Sequence, residues 1–260
     1  TKAMRDTQPK RFARARWVVD AAGYIVAALT GVPTIDRATA SYHLAPGLKP
    51  ILPLPEPREA QDIAGGLLPG MAQRLGLPAG IPVAIGGCDS YVDFTAIGMR
   101  EAGDLGILLG STLVLGRVVE QAVAREGLRT TPHHGRGVFL GGWTSANYAR
   151  RAWRAPLFGP QAVAGAGDPP GGAGGLMLLP YFAGERAPIW DNDARGAVLG
   201  ATLQTNAAEL HRATIDGVAL SALDLSERLL RQTGRCELAH VGGGGSRNAA
   251  LAVAISNATG

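Results

Sequence analysis

The 260-residue sequence is short of several residue types, and each shortage removes a class of protein. Cysteine occurs only at Cys88 and Cys236. Neither a disulfide scaffold nor a zinc ribbon can be built from two distant thiols, and a reducing, cytoplasmic setting is expected. Both read as packed thiols rather than reactive ones. Lysine is confined to Lys2, Lys10 and Lys49, and no Gly-x-x-x-x-Gly-Lys-Ser/Thr loop occurs, which excludes a P-loop nucleotidase. The histidines show no HExxH spacing, so no zinc hydrolase and no protein-held metal centre is expected. No apolar run reaches the ~18 residues of a membrane span. The most apolar stretch, Gly106–Val119, is broken by Ser111, Thr112 and Arg117. No leader peptide is legible, because Lys2, Arg5, Lys10, Arg11, Arg14 and Arg16 are followed by no apolar segment of the right kind.

What remains is a chain with 46% hydrophobic and 18% charged residues, enough apolar material for a real core. The net charge of +4 is modest, and the basic N-terminus reads as a solvated helix face. Nucleic acid is not an expected partner, since no zinc, RNP or helix-turn-helix pattern accompanies the charge. Glycine is the strongest signal, with 37 residues gathered at 86–87, 135–142, 171–175 and 242–245. Gathered glycine marks places where the backbone turns tightly or meets a ligand.

Apolar spacing predicts a helix over 7–30, stopped by Gly31-Val32-Pro33. The proline-rich stretch 44–62 reads as an extended surface connection. A short helix over 68–76 and a buried strand over 82–85 follow, then Gly86-Gly87-Cys88-Asp89 and a helix through Tyr91, Phe94 and Ile97. Two strand-like runs, 104–109 and 113–119, flank Gly110-Ser111-Thr112. Strands at 137–143 and 176–181, a helix at 145–154 and a loop at 160–175 complete the middle. Asn206 with Glu209 predicts a capped long helix ending at Gly234, with Leu210, Ala213, Gly217, Leu220 and Leu223 on its apolar side. A strand at 237–241, Gly242–Gly245 and a last helix opened by Ser246-Arg247-Asn248 close the sequence. Alternating strands and helices argue an α/β fold. Both ends read as cut, because residue 1 is Thr and Gly260 follows a helix with no further strand, so a fragment is expected.

Four constellations carry chemistry. The strand–Gly242-Gly243-Gly244-Gly245–helix unit suits close backbone approach to a ligand and offers a helix N-terminus. Dinucleotide spacing, Gly-x-Gly-x-x-Gly/Ala, fails at Arg247 and at Asn248. A tight turn without ligand is the rival reading. Gly110-Ser111-Thr112 aims backbone N–H groups and two hydroxyls at one point, as a phosphate nest would, although Ser-Thr is also ordinary turn chemistry. Asp89 stands after a strand and two glycines, where a carboxylate serves either as a base or as a helix cap. The dense run Tyr181–Asp191, with Asp193-Ala194-Arg195-Gly196, reads as a structured loop or as charges that pair with each other. The tryptophans Trp17, Trp143, Trp153 and Trp190 read as core or rim packing.

Together these motifs resemble the FGGY carbohydrate kinases, and most closely their xylulokinase-like branch. Pro180–Asp191 with Asp193-Ala194-Arg195-Gly196 is similar to that family's L-P-Y-x-x-G-E-R-x-P-x-W-D-P-x-A-R-G signature, with Asn192 in place of a proline. His211–Ala219 resembles the helix that follows, with Asp216 in place of Glu. Val241–Asn248 is similar to the G-G-G-x-x-x-N loop, and Gly76–Asp89 to G-L-P-x-G-x-P-V-x-x-G-x-x-D. Leu29-Thr30-Gly31 with Thr34, Asp36, Ala40 and Ser41 resembles the upstream L-T-G-x-x-x-T-D-x-x-x-A-S region.

The resemblance implies an actin/hexokinase-like (ribonuclease H-like) ATPase lobe preceded by the tail of another lobe. Residues 1–100 would be the C-terminal part of the sugar-binding lobe, and 101–260 a nucleotide-binding lobe truncated at its end. It implies ATP-dependent phosphorylation of a sugar hydroxyl, of a ketopentose such as xylulose, with ATP and Mg2+ as cofactors. Asp89 matches the general base. Gly110, Ser111 and Thr112 match the second phosphate loop, whose usual order is Gly-Thr-Ser or Gly-Thr-Gly. Gly243, Gly244, Gly245 and Asn248 match the adenine-nucleotide loop. Asn147, where the family usually has Gly, is set aside. The family's N-terminal Asp-x-Gly-Thr hairpin is absent from this sequence. The alternative is therefore a truncated or degenerate lobe that binds nucleotide weakly and does not catalyse alone. A homodimer is left open, and no membrane partner is expected.

Overall fold

The computed structural model describes residues 2–44, 52–121, 124–133, 137–147 and 172–260. The chain forms two compact units, Thr1–Val92 with Thr131–His134, and Asp93–Thr130 with Gly135–Gly260.

The first unit begins with helices α1 (Lys2–Thr7), α2 (Pro9–Phe12) and α3 (Ala21–Thr30). The single helix expected over 7–30 is therefore wrong. Asp20 starts α3 by accepting a hydrogen bond from the Gly23 N–H at 2.8 Å, with its own backbone extended. Just before it, the Val18 N–H donates to the Pro53 carbonyl at 3.1 Å. The apolar spacing from Phe12 to Val18 thus runs through backbone that is not helical, and none of Phe12, Ala15 and Val18 is buried. Gly31 ends α3 in the left-handed conformation, φ 79°, as expected.

Strand β1 (Ile35–Asp36) leads into α4 (Arg37–His43), which Asp36 caps through the Thr39 N–H at 3.0 Å. Strand β2 (Pro57–Arg58) runs parallel to β1. Strand β3 (Ile63–Gly66) pairs antiparallel with β4 (Pro82–Ala84), and α5 (Pro69–Leu75) lies between them in sequence, closed by Gly76. The strand expected to be buried is mostly at the surface; Ile85, just after it, is the buried residue. Val26, Ile35, Ala38, Leu67, Ala72, Ile85 and Tyr91 supply buried apolar groups. A hydroxyl chain crosses this unit, Tyr42 to Tyr91 at 2.6 Å and Tyr91 to Thr131 at 2.6 Å. Helix α6 (Asp89–Ala96) contains the point at which the two units divide.

The second unit is built on a mixed sheet. Its strands are β5 (Leu105–Leu109), β6 (Leu113–Val119), β7 (Arg129–Pro132), β8 (Val138–Thr144) and, after the short hairpin pair β9 (Met177–Leu179) and β10 (Ala197–Leu199), β11 (Ala239–Gly242). The order across the sheet is β11-β5-β6-β8-β7. β11 is parallel to β5, whereas β5, β6 and β8 are antiparallel neighbours. Every residue of β5 is buried, which fits a central strand covered on both faces.

The long helix α7 (Ala207–Thr233) carries the expected capping box, with Asn206 and Glu209 bonded reciprocally. Its buried surface is wider than the stripe expected, of which Ala213 and Gly217 are buried. Ile215, Val218, Ala222, Leu225 and Leu229 join the sheet core, while Ala213 packs with Leu178 and Leu220 is exposed. The helix is clasped on several sides by β6, β8, β9 and the last helix α8 (Ala249–Thr259), so no single 100° stripe describes it. The expected helix at 145–154 is described only as far as Asn147. Its remainder and most of the expected 160–175 loop lie outside the described residues. No described helix is long and apolar enough to cross a membrane.

Candidate functional site

The β5–β6 hairpin closes with Leu109 opposite Leu113, leaving Gly110-Ser111-Thr112 at the tip. The Gly110 N–H donates to the Thr112 carbonyl at 3.1 Å, so that N–H is consumed by the turn itself. The nest therefore offers less backbone than three consecutive amides would. The Thr112 hydroxyl accepts from Arg186 Nη1 at 3.4 Å.

β11 lies beside β5 in register, with Gly242 opposite Leu108. The chain then turns at Gly243, φ 85°, into a 3-10 turn over Gly244–Arg247. Two glycines of this loop are dictated by close packing. A Cβ at Gly243 would lie 2.9 Å from the Leu109 carbonyl carbon, and one at Gly245 would lie 2.6 Å from the Leu109 carbonyl oxygen. Gly244 is different: a Cβ there would meet nothing within 4 Å. The loop expected to hold adenosine and the turn expected to hold phosphate thus share Leu109 as a floor, and the middle glycine has open space above it.

Asn147, set aside above because the family usually has Gly there, connects the two. It is buried, its side-chain amide donates to the Gly110 carbonyl, and it lies 3.3 Å from where a Gly245 Cβ would be. Asn248 caps α8, its Oδ1 accepting from the Leu251 N–H at 2.7 Å. Its amide nitrogen keeps its donors for a ligand, and the oxygen has one lone pair left.

The dense loop after β9 is structured, as one of its two readings requires. Glu185 is 2% exposed and accepts hydrogen bonds from Thr144 Oγ1 at 2.7 Å, the Ser145 N–H at 3.2 Å and the Arg186 N–H at 2.6 Å. The indole of Trp190 donates to the Gly127 carbonyl at 2.6 Å, meets Trp143 edge-on at 5.2 Å, and lies under Arg129 at 4.5 Å. Charge pairing within the loop is confined to Arg195 with Asp193 at 3.9 Å, an exposed contact of little worth.

Asp89 belongs to the first unit, whereas the other expected site residues belong to the second. It is the first residue of α6 and is exposed. Its Oδ1 accepts from the Ser90 N–H at 2.7 Å and from the Cys88 thiol at 3.3 Å. The side chain is thus exposed, yet its Oδ1 is bonded to the first turn of its own helix, as the cap reading expects. Burial, the largest influence, pushes the half-buried Cys88 thiol up, so it stays protonated and unreactive near neutrality. Among the described residues no group of three or more His, Cys, Asp or Glu could hold a metal ion. An apolar cavity of about 450 Å³ lies among α7, β11 and α8, lined by side chains such as Ile107, Val241 and Ile255. Leu109 and Ser246 also line it, so it adjoins the glycine loop from below, although Gly244 and the Gly110–Thr112 turn do not line it.

Residues 100–260 match the C-terminal domain of the FGGY family of carbohydrate kinases. A xylulose kinase from Klebsiella pneumoniae is 31% identical over 175 residues, which is 64% of this chain and 36% of that protein. A ribulokinase from Halalkalibacterium halodurans is 29% identical over 175 residues, 60% of this chain and 31% of that protein. The structure of a ligand-bound xylulose kinase from Lactobacillus acidophilus superposes with a TM-score of 0.81 at 21% identity, covering 98% of this chain and 56% of that one. The chain thus spans less than half the length of these two sequence relatives, and its fold is of the actin/hexokinase-like α/β type. With the family match covering more than half of the chain, it belongs to the FGGY family of carbohydrate kinases.

Proposed function

We propose that the protein phosphorylates a sugar hydroxyl at the expense of ATP, with a ketopentose such as xylulose as acceptor and the Mg2+ complex of ATP as donor. The observation that carries this reading is the shared Leu109 floor beneath the Gly110–Thr112 turn and the Gly243–Gly245 loop, with Gly244 left open. Open backbone beside two hydroxyls suits a polyphosphate.

In this reading the Gly243–Gly245 backbone and the Asn248 amide hold the nucleoside end. Ser111 and Thr112 donate hydroxyl hydrogens to phosphate oxygens. Asp89 accepts the proton of the attacking sugar hydroxyl. A carboxylate suffices as base because phosphoryl transfer runs through a loose transition state in which the proton leaves late. Catalysis then rests on positioning and on neutralising charge.

The test is sugar-dependent ADP release by the protein, assayed over a panel of ketopentoses. Asp89→Asn keeps the shape and removes the base, and kcat should fall by about 10²–10⁴ with the KM for ATP little changed. Turnover that survives this substitution would exclude Asp89 as the base.

A further inference from the structure

We propose that Arg186 is a phosphate-binding residue of the Gly110–Thr112 turn, contacting the charged oxygens of a nucleoside polyphosphate. This rests on the reading of that turn as a phosphate site and adds a cation to it. The need is electrostatic. A bound triphosphate carries several negative charges, the turn itself carries none, and one of its amides, that of Gly110, is already spent on the Thr112 carbonyl. Lysine is absent after Lys49, so a permanently charged side chain beside this turn has to be an arginine.

Arg186 has the placement for it. Its guanidinium reaches the turn directly, through the 3.4 Å bond to Thr112 Oγ1. Among the described residues it forms no ion pair, although seven other arginines do. A solvated arginine on a mobile loop would mean little, but this backbone is fixed on both sides. The buried Glu185 holds the Arg186 N–H and ties it to the end of β8 through Thr144 and Ser145. Glu185 and Asp191 exchange backbone hydrogen bonds at 2.8 and 2.9 Å, and the Ala187 N–H donates to the Trp143 carbonyl at 3.1 Å. The side chain therefore springs from a stapled base and extends into solvent beside the turn.

The contact with Thr112 also has a directional consequence. A hydroxyl that accepts from a guanidinium turns its own hydrogen away from it and becomes a donor toward an anion. The remaining guanidinium donors keep the planar fork that suits two phosphate oxygens at once. Thr112 and Arg186 thereby form one donor surface.

Calorimetric titration of the protein with ATP and with adenosine, for wild type, Arg186→Gln and Arg186→Lys, tests this. Arg186→Gln should weaken ATP binding about tenfold or more and leave adenosine affinity within about twofold. Arg186→Lys should recover part of the loss, and melting temperatures should stay together because the side chain is exposed. Equal ATP affinity in wild type and Arg186→Gln, or equal losses for ATP and adenosine, would overturn the assignment and leave the kinase reading intact. A wild-type protein that binds no ATP would instead remove the kinase reading and this assignment with it.

Discussion

At the scale of single residues, the glycine run after β11 separates two demands that look identical in sequence. Gly245 is required by packing: its Cβ would sit 2.6 Å from the Leu109 carbonyl oxygen and 2.8 Å from the Leu109 Cβ. Gly245→Ala should cost about 1–3 kcal/mol, because the backbone of a central strand cannot yield. Gly244 has nothing within 4 Å, so Gly244→Ala should leave stability within about 0.5 kcal/mol. The same change should weaken ATP binding, since a methyl group would occupy the space the ligand backbone contact needs. Urea unfolding and ATP titration of both variants check this; ATP affinity unaltered in Gly244→Ala would show that the nucleotide does not approach there. The need for glycine was legible from the sequence, as were the turn at Ser111-Thr112 and the helix start at Asn248. Asn147 was not, because its importance lies in two partners, Gly110 and Gly245, that are far from it in sequence. Arg186 was visible only as part of a charged motif. Which of that motif's charges is buried and which reaches the turn depends on the fold.

At the scale of elements, caps proved better guides than periodicity. Gly31, Gly76, Asn206 and Gly234, read as helix ends from the sequence, mark helix ends in the structure. The apolar spacing across 7–30 joined a real helix to backbone that pairs with Pro53 instead. The expected face of α7 held only in part, with Ala213 and Gly217 buried and Leu220 exposed, because the helix's burial is spread over several neighbours. Gly217 lies on the side of α7 toward β9, where a Cβ would come 2.6 Å from the Leu178 carbonyl oxygen. In an isolated helix, Gly→Ala gains about 1 kcal/mol. Here the overlap with a strand carbonyl outweighs that gain, and Gly217→Ala should destabilise by about 1–2 kcal/mol. Chemical denaturation with the slope held constant decides the sign. A stabilised variant would mean that α7 and β9 separate easily, and that the hairpin β9–β10 is not a firm support for the loop that carries Glu185.

At the scale of the whole molecule, the α/β class was legible from the alternation of elements, while a division near residue 100 came only from the family resemblance; the two compact units part between Val92 and Asp93. The dividing point falls inside α6, where no proline, glycine or charge run marks it. Both units share one pH sensitivity. In the first, Tyr91 is 4% exposed, and its phenol is pushed well above the usual range, first by burial and then by the neighbouring Tyr42, with the Thr131 bond opposing. In the second, burial and then the carboxylates of Glu185 and Asp224 push Tyr181 up. A phenol raised in the folded state keeps its proton after the unfolded chain has begun to lose it at about pH 10. The native state then binds more protons than the unfolded one, so stability falls as pH rises. The contribution is complete below that pH and is lost above it. Unfolding followed by circular dichroism should therefore steepen above about pH 10, with tyrosinate absorbance appearing in the same transition. Tyr91→Phe separates the two roles of this side chain. It removes the hydroxyl that joins Tyr42 to Thr131, so stability near neutrality should drop by about 1–2 kcal/mol. It also removes the buried ionisable group, so the alkaline decline should become shallower, with Tyr181 left to account for the remainder. An alkaline slope identical to wild type would show that the Tyr91 phenol reaches water before the chain unfolds, and that the hydroxyl chain opens as a local event.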